Sequence, residues 1–146
     1  MKVPLSAPDI SKDDISAVMS VLQTNQLSIG PKLIEFEKVM AEWAGQKHGI
    51  AVNSGTSGLH LIVRAMDLKD GDEVITTPFS FIASSNCLLF ERAVPVFADI
   101  EPDTLNIDPS AIERAITPKT KAILAVHAFG HPADMDPIRE IAQRHS

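Results

Sequence analysis

Apolar positions recur along this chain with two different periods. Near the start, Ile15, Val18, Met19 and Leu22 stand at i, i+3, i+4 and i+7, the spacing of one buried helix face. Ser11 is placed to cap that helix, and Asp13 and Asp14 complement the positive end of its dipole. A second amphipathic helix is expected from about Leu33 through Phe36, Met40 and Trp43, entered from a Gly30-Pro31 break and ended by Gly45. From His48 onward, short β-type runs alternate with helical ones. Strands are expected at residues 49–52, 73–77, 94–98 and 121–126, and helices at 59–66, 82–90 and 111–116, the last behind an Asp108 cap with Pro109 at its first position. A further helix opens at Asp136-Pro137 and runs to the end of the sequence. This alternation predicts an α/β fold of three layers, a mostly parallel sheet with helices on both faces, preceded by two helices. The expected division is 1–47 for the helical segment and 48–146 for the α/β part.

Composition narrows the possible partners. Of the 146 residues, 45% are hydrophobic and 22% charged, the balance of an ordinary globular domain, and no repeat or low-complexity tract interrupts them. The formal charge of −6 offers no basic field to a phosphate backbone or an anionic membrane, so neither nucleic acid nor membrane is expected as a partner. Apolar runs such as 123–126 fall far short of the roughly 18 residues that spanning a bilayer requires. The start, Met1-Lys2-Val3-Pro4, has no signal-peptide apolar core, and a cytoplasmic location is expected. Cys87, the single cysteine, excludes an internal disulfide. Its setting, Cys87-Leu88-Leu89-Phe90, suits a buried small hydrophobe better than a nucleophile.

In parallel α/β sheets ligands bind beyond the carboxyl ends of the strands. Asn53 and Ser54, Thr77, Asp99 and His127 stand at those ends. The run Asn53-Ser54-Gly55-Thr56-Ser57-Gly58 joins a strand to a helix, where free backbone N–H groups and the helix dipole attract an anion and glycine admits a phosphate closely. It is neither a Walker A loop nor a G-x-G-x-x-G fingerprint, and on local chemistry it reads equally as a capped turn. Phe81 offers a flat face to a planar cofactor or a side chain to the core. His127 suits a ligand bond or proton transfer, or a bond to local backbone; Asp99 suits a cap on the turn after it. His127 and His131, with Asp134 and Asp136 nearby, imitate a helical metal pair. Gly130 and Pro132 argue against a helix there, so no metal site is expected. No nucleophile elbow, zinc-type cysteine cluster or carboxylate pair is present.

Several ordered motifs together resemble the nucleotide-sugar aminotransferases of the DegT/DnrJ/StrS type. They are Gly49-Ile50-Ala51-Val52-Asn53-Ser54-Gly55-Thr56-Ser57-Gly58-Leu59, Gly71-Asp72-Glu73-Val74-Ile75-Thr76-Thr77-Pro78, Pro95-Val96-Phe97-Ala98-Asp99-Ile100, Lys119-Thr120-Lys121-Ala122-Ile123 and Val126-His127-Ala128-Phe129-Gly130-His131-Pro132-Ala133-Asp134-Met135-Asp136, with Gly30-Pro31 and Phe36-Glu37 upstream. The resemblance covers nearly the whole chain. It implies part of the large domain of the fold-type I pyridoxal-phosphate enzymes and a homodimer with active sites at the subunit interface. It also implies transfer of an amino group from an amino acid, glutamate in most of the family, to a nucleotide-linked keto-sugar.

By position, the N–H groups of Thr56 and Ser57 would hold the phosphate of pyridoxal 5'-phosphate, Gly55 would shape the turn, and Phe81 would stack on the pyridine ring. Asn53 and Ser54 would support the turn, and Gly30-Pro31 would lie near substrate and dimer contact. The family's acidic motif, which pairs with the pyridine nitrogen, and its Schiff-base lysine match nothing here: Lys2, Lys12, Lys32, Lys38, Lys47, Lys69, Lys119 and Lys121 all lie outside the lysine motif. No catalytic residue is therefore assigned. The 146 residues are expected to be the N-terminal portion of such an enzyme, inactive alone and poorly soluble or obligately associated. Two rivals remain: a sugar dehydratase of the same family, which has histidine at the lysine position, and a non-catalytic α/β module for phosphorylated ligands.

Overall fold

The computed structural model describes residues 6–145; Met1 to Pro4, read above for a leader, and Ser146 lie outside them. The described residues fall into two compact units that divide between Ala51 and Val52.

In the first unit, α1 (Lys12–Leu22) starts on a complete capping box. The Ser11 hydroxyl oxygen accepts the Asp14 N–H at 3.2 Å, and Asp14 Oδ2 accepts the Ser11 N–H at 2.8 Å. These bonds hold the Asp14 carboxyl below its ordinary pKa. Asp14 thus satisfies a backbone donor as well as the dipole. The helix α2 (Pro31–Trp43) begins with Pro31 at its first position, where the missing N–H has no helical acceptor to lose. It ends in a Schellman motif: Gln46 N–H donates to Ala41 O, Gly45 N–H donates to Glu42 O, and Gly45 takes φ +64°.

Two expectations for this region are corrected. Ile15, Val18, Met19 and Leu22 do lie on a helix, yet all four are exposed, as are Phe36, Met40 and Trp43 on α2. Periodicity fixes which side of a helix is apolar; burial needs something packed upon it. Residues 49–52 are not a strand. Ala51 gives its N–H to the Glu37 carboxylate at 2.9 Å, and a Cβ on Gly49 would stand 2.4 Å from the Glu37 carbonyl oxygen. An apolar run becomes a strand only beside a second backbone, and among the described residues none pairs with this one.

The second unit follows the expected alternation: α3 (Gly55–Ala65), β1 (Glu73–Thr76), α4 (Ala83–Phe90), β2 (Val94–Phe97), α5 (Pro109–Ala115), β3 (Thr120–Leu124) and α6 (Met135–Arg144). The three strands are parallel in the order β2-β1-β3. Ile75 on β1 sits opposite Val96 and Ile123, while Val74 sits opposite Pro95 and Ala122. Alternate side chains therefore build two cores. Ile75, Val96 and Ile123 pack with Ile112 of α5 and Ile138 and Ile141 of α6; Val74, Ala122 and Leu124 pack with Val63 of α3 and Cys87 and Leu88 of α4. This is the expected three-layer arrangement. Because Ile75 is 0% exposed on the central strand, Ile75→Ala is expected to lower unfolding free energy by about 2–5 kcal/mol in a urea titration.

Candidate functional site

The helix α3 starts four residues earlier than its apolar periodicity suggests, because the polar run before it forms the first turn. Ser54, in extended conformation, is the N-cap, and its Oγ accepts the Ser57 N–H at 3.1 Å. The Ser57 hydroxyl donates to Asn53 Oδ1 at 2.7 Å. Asn53 and Ser54 thus brace the turn from its own side chains. The N–H groups of Gly55 and Thr56, the first two helical residues, have no acceptor within the helix. Of the two donors expected at Thr56 and Ser57, Thr56 is open and Ser57 is taken by the cap.

Gly55 has an open position that nothing else in the structure calls for. An added Cβ would meet no atom within 4 Å, and Gly55 does not adopt the left-handed backbone that favours glycine. At this first helical position neither a close contact nor a left-handed backbone calls for glycine among the described residues. What glycine provides is clear space in front of two unpaired donors at the positive end of a helix.

A second element lies beyond β1 and β3, a cleft of about 370 Å³ bordered by Phe79, Phe81, Val126, His127 and Phe129. Phe79 and Phe129 pack with ring centroids 6.1 Å apart. Thr77, buried after β1, accepts the Phe79 N–H on its hydroxyl at 3.1 Å and so sets the start of this wall. Phe81 is 76% exposed, which removes the core reading of that side chain. No residue of the Asn53 to Gly58 turn lines this cleft, so the described residues form two separate elements, an anion-binding helix start and an aromatic cleft.

His127 closes one side of the cleft. Its Nδ1 accepts the Ala133 N–H at 3.0 Å, a bond to local backbone that leaves Nε2 without a partner among the described residues. Between them the chain makes one 3-10 turn, Ala128–Gly130, with Phe129 at φ 50° and Gly130 at φ 81°. The spacing of His127 and His131 is therefore not helical. Among the described residues no three His, Cys, Asp or Glu side chains converge on a point suited to a metal. Asp99 lies outside the cleft and binds its own turn: Oδ1 accepts the Ile100 N–H and its carbonyl accepts that of Asp108. Cys87 is buried, donates its thiol to Ser84 O, and has its pKa raised by that burial. No helix among the described residues is long and apolar enough to cross a membrane.

Sequence reasoning missed Asn106. It is 2% exposed, and its side-chain amide bonds the loop after β3 at three points: Nδ2 donates to His131 O and Pro132 O, and Oδ1 accepts the Ala128 N–H. The available signal was a lone polar residue between Leu105 and Ile107, which reads as loop until Ile107 is seen bridged to Ile100.

A sequence model of the DegT/DnrJ/EryC1/StrS aminotransferase family matches residues 8–146. The spore coat polysaccharide biosynthesis protein SpsC of Bacillus subtilis is 47% identical over 143 residues, 98% of this chain and 37% of that protein. GDP-perosamine synthase of Caulobacter vibrioides is 42% identical over 146 residues, 99% of this chain and 39% of that protein. The solved structure of Ntda from Bacillus subtilis with bound cofactor PMP superposes with a TM-score of 0.87 at 41% identity, over 93% of this chain and 32% of that one. The chain thus spans less than two fifths of the length of these relatives. With a match that runs through both compact units, the chain belongs to the DegT/DnrJ/EryC1/StrS aminotransferase family.

Proposed function

We propose that this chain contributes the phosphate cradle and the ring-facing cleft of a pyridoxal-phosphate-dependent enzyme that moves an amino group from an amino acid, glutamate by the family's habit, to a nucleotide-linked keto-sugar. The protein is taken to work as a homodimer in the cytoplasm. Family membership supports the aminotransferase reading. GDP-perosamine synthase, with a nucleotide-linked sugar in its name, supports the substrate class, and the PMP-bound relative supports the cofactor.

The observation that carries this reading is the helix start at Gly55. Two unpaired N–H groups on a helix dipole, behind a glycine whose Cβ position is empty, have the donor chemistry that a dianionic phosphate requires. The residues present fit the group. Gly55 and Thr56 would bind the phosphate through backbone, Ser57 and Asn53 would hold the turn rigid, and the exposed ring of Phe81 would orient the flat heterocycle. When bound, pyridoxal phosphate supplies an electron sink for bonds at an amino-bearing carbon. Proton transfer in that chemistry is assigned to no residue of this chain.

The test is binding of pyridoxal phosphate against phosphate-free pyridoxal, followed by fluorescence quenching. Two charge-assisted hydrogen bonds, at about 1.5–3 kcal/mol each, predict that the phosphorylated form binds at least about 100-fold more tightly. Equal affinity for the two compounds would overturn the cradle.

A further inference from the structure

We propose that His127 is a fixed hydrogen-bond donor at the aromatic cleft, held as its Nε2–H tautomer, and that Asn106 is the positioning residue that keeps it so. The partner is an acceptor oxygen of the molecule bound in the cleft; only the identity of that molecule rests on the cofactor reading above. An amide N–H can donate only to a lone pair. With the Ala133 N–H directed at Nδ1 from 3.0 Å, the neutral ring carries its proton on Nε2. That nitrogen has no partner among the described residues, and the ring borders the same cleft as Phe79, Phe81 and Phe129. A neutral donor among aromatic rings is suited to a phenolate, carboxylate or phosphate oxygen, whose charge strengthens the bond.

The aim of the Ala133 N–H depends on a loop whose own backbone closes one turn, His131 N–H donating to Ala128 O at 2.9 Å, short of Ala133. Phe129 and Gly130 are both left-handed, which is costly for phenylalanine, and Pro132 has no N–H to contribute. Asn106 supplies what the loop lacks. Its Nδ2 holds the carbonyls of His131 and Pro132 at 3.0 and 3.2 Å, just before Ala133, and its Oδ1 holds the Ala128 N–H at 2.8 Å, just after His127. One buried amide therefore fastens both ends of the segment whose ends make the His127 bond. The donor and acceptor pattern also fixes the amide's orientation, since exchanging its O and N would spoil all three bonds.

The experiment is long-range 1H–15N correlation on the intact protein labelled at histidine, above the pH range in which imidazole protonates. Wild type is expected to show the Nε2–H pattern for His127, and Asn106→Leu a mixture of tautomers. A wild-type Nδ1–H pattern, or an Asn106→Leu variant with the tautomer unchanged, overturns the proposal. If that variant does not fold, amide exchange at Ala133 in Asn106→Asp replaces it: faster exchange than wild type supports the proposal and equal protection sinks it. Ligand contact is read separately with pyridoxal phosphate as the probe. His127→Asn keeps an acceptor near Nδ1 but loses the donor, so binding should weaken about tenfold. His127→Gln, whose amide reaches the Nε2 position, should stay within about threefold of wild type. Equal binding by both variants removes the donor role. Failure of wild type to bind pyridoxal phosphate refutes the cofactor reading instead, while the tautomer measurement still decides the state of His127.

Discussion

Asn106→Leu is expected to cost about 2–4 kcal/mol of stability and to lower the melting temperature by roughly 6–12 °C. Leucine nearly matches asparagine in shape, so the loss is not one of packing. It comes from one N–H and two carbonyls left without their bonds: Ala128 on one side of the loop, His131 and Pro132 on the other. An unsatisfied buried group costs about 1–3 kcal/mol, but His131 and Pro132 are exposed residues, so water recovers part of the two carbonyl terms. That recovery sets the upper end of the range. Calorimetry or a denaturant titration measures it directly, and a cost below about 1 kcal/mol would show that the loop is held by something other than this amide.

The second large effect is expected at Gly55, where stability and binding should move in opposite directions. Gly55→Asp places a side chain where an added Cβ meets nothing within 4 Å, so it causes no clash. A carboxylate at the first position of α3 also complements the helix dipole, worth about 0.3–1 kcal/mol, and the loss of glycine flexibility adds to this. The variant should therefore melt slightly higher than wild type. Its carboxylate would stand among the donors that the phosphate needs and repel the phosphate by charge, so affinity for pyridoxal phosphate should fall by about two orders of magnitude. Comparing thermal shifts with binding separates this from general damage. A variant that melts higher and still binds as wild type would show that the open space before Gly55 serves no anion.

Much of the second unit was legible because its signals are local. The cap at Asp108 with Pro109 behind it, the apolar runs of β1 and β2 and the breaks between them act within a few residues, and the elements formed within one or two residues of expectation. The start of α3 was placed late for the same reason. Periodicity begins at Leu59, whereas the helix begins where Ser54 caps it, and a capped polar turn has no apolar period to read. The candidate site was legible in part: the polar turn at 53–58 marks a helix start with open donors, and Phe81 stands exposed at the strand ends. The role of Asn106 was not, since its three partners lie 22 to 26 residues away.

The sequence by itself determined the kind and order of the elements that formed, the alternation of faces along each strand and the family to which the chain belongs. These follow from propensities, caps and periods that act over a few residues, and from motifs that occur in a fixed order. Only the tertiary structure decided the order β2-β1-β3, the exposure of the apolar faces of α1 and α2, the absence of a strand at 49–52 and the tautomer of His127. Each of these depends on what a group meets across space. A backbone needs a neighbour to become a strand, an apolar face needs a cover to become core, and an imidazole takes its proton pattern from the amide placed before it.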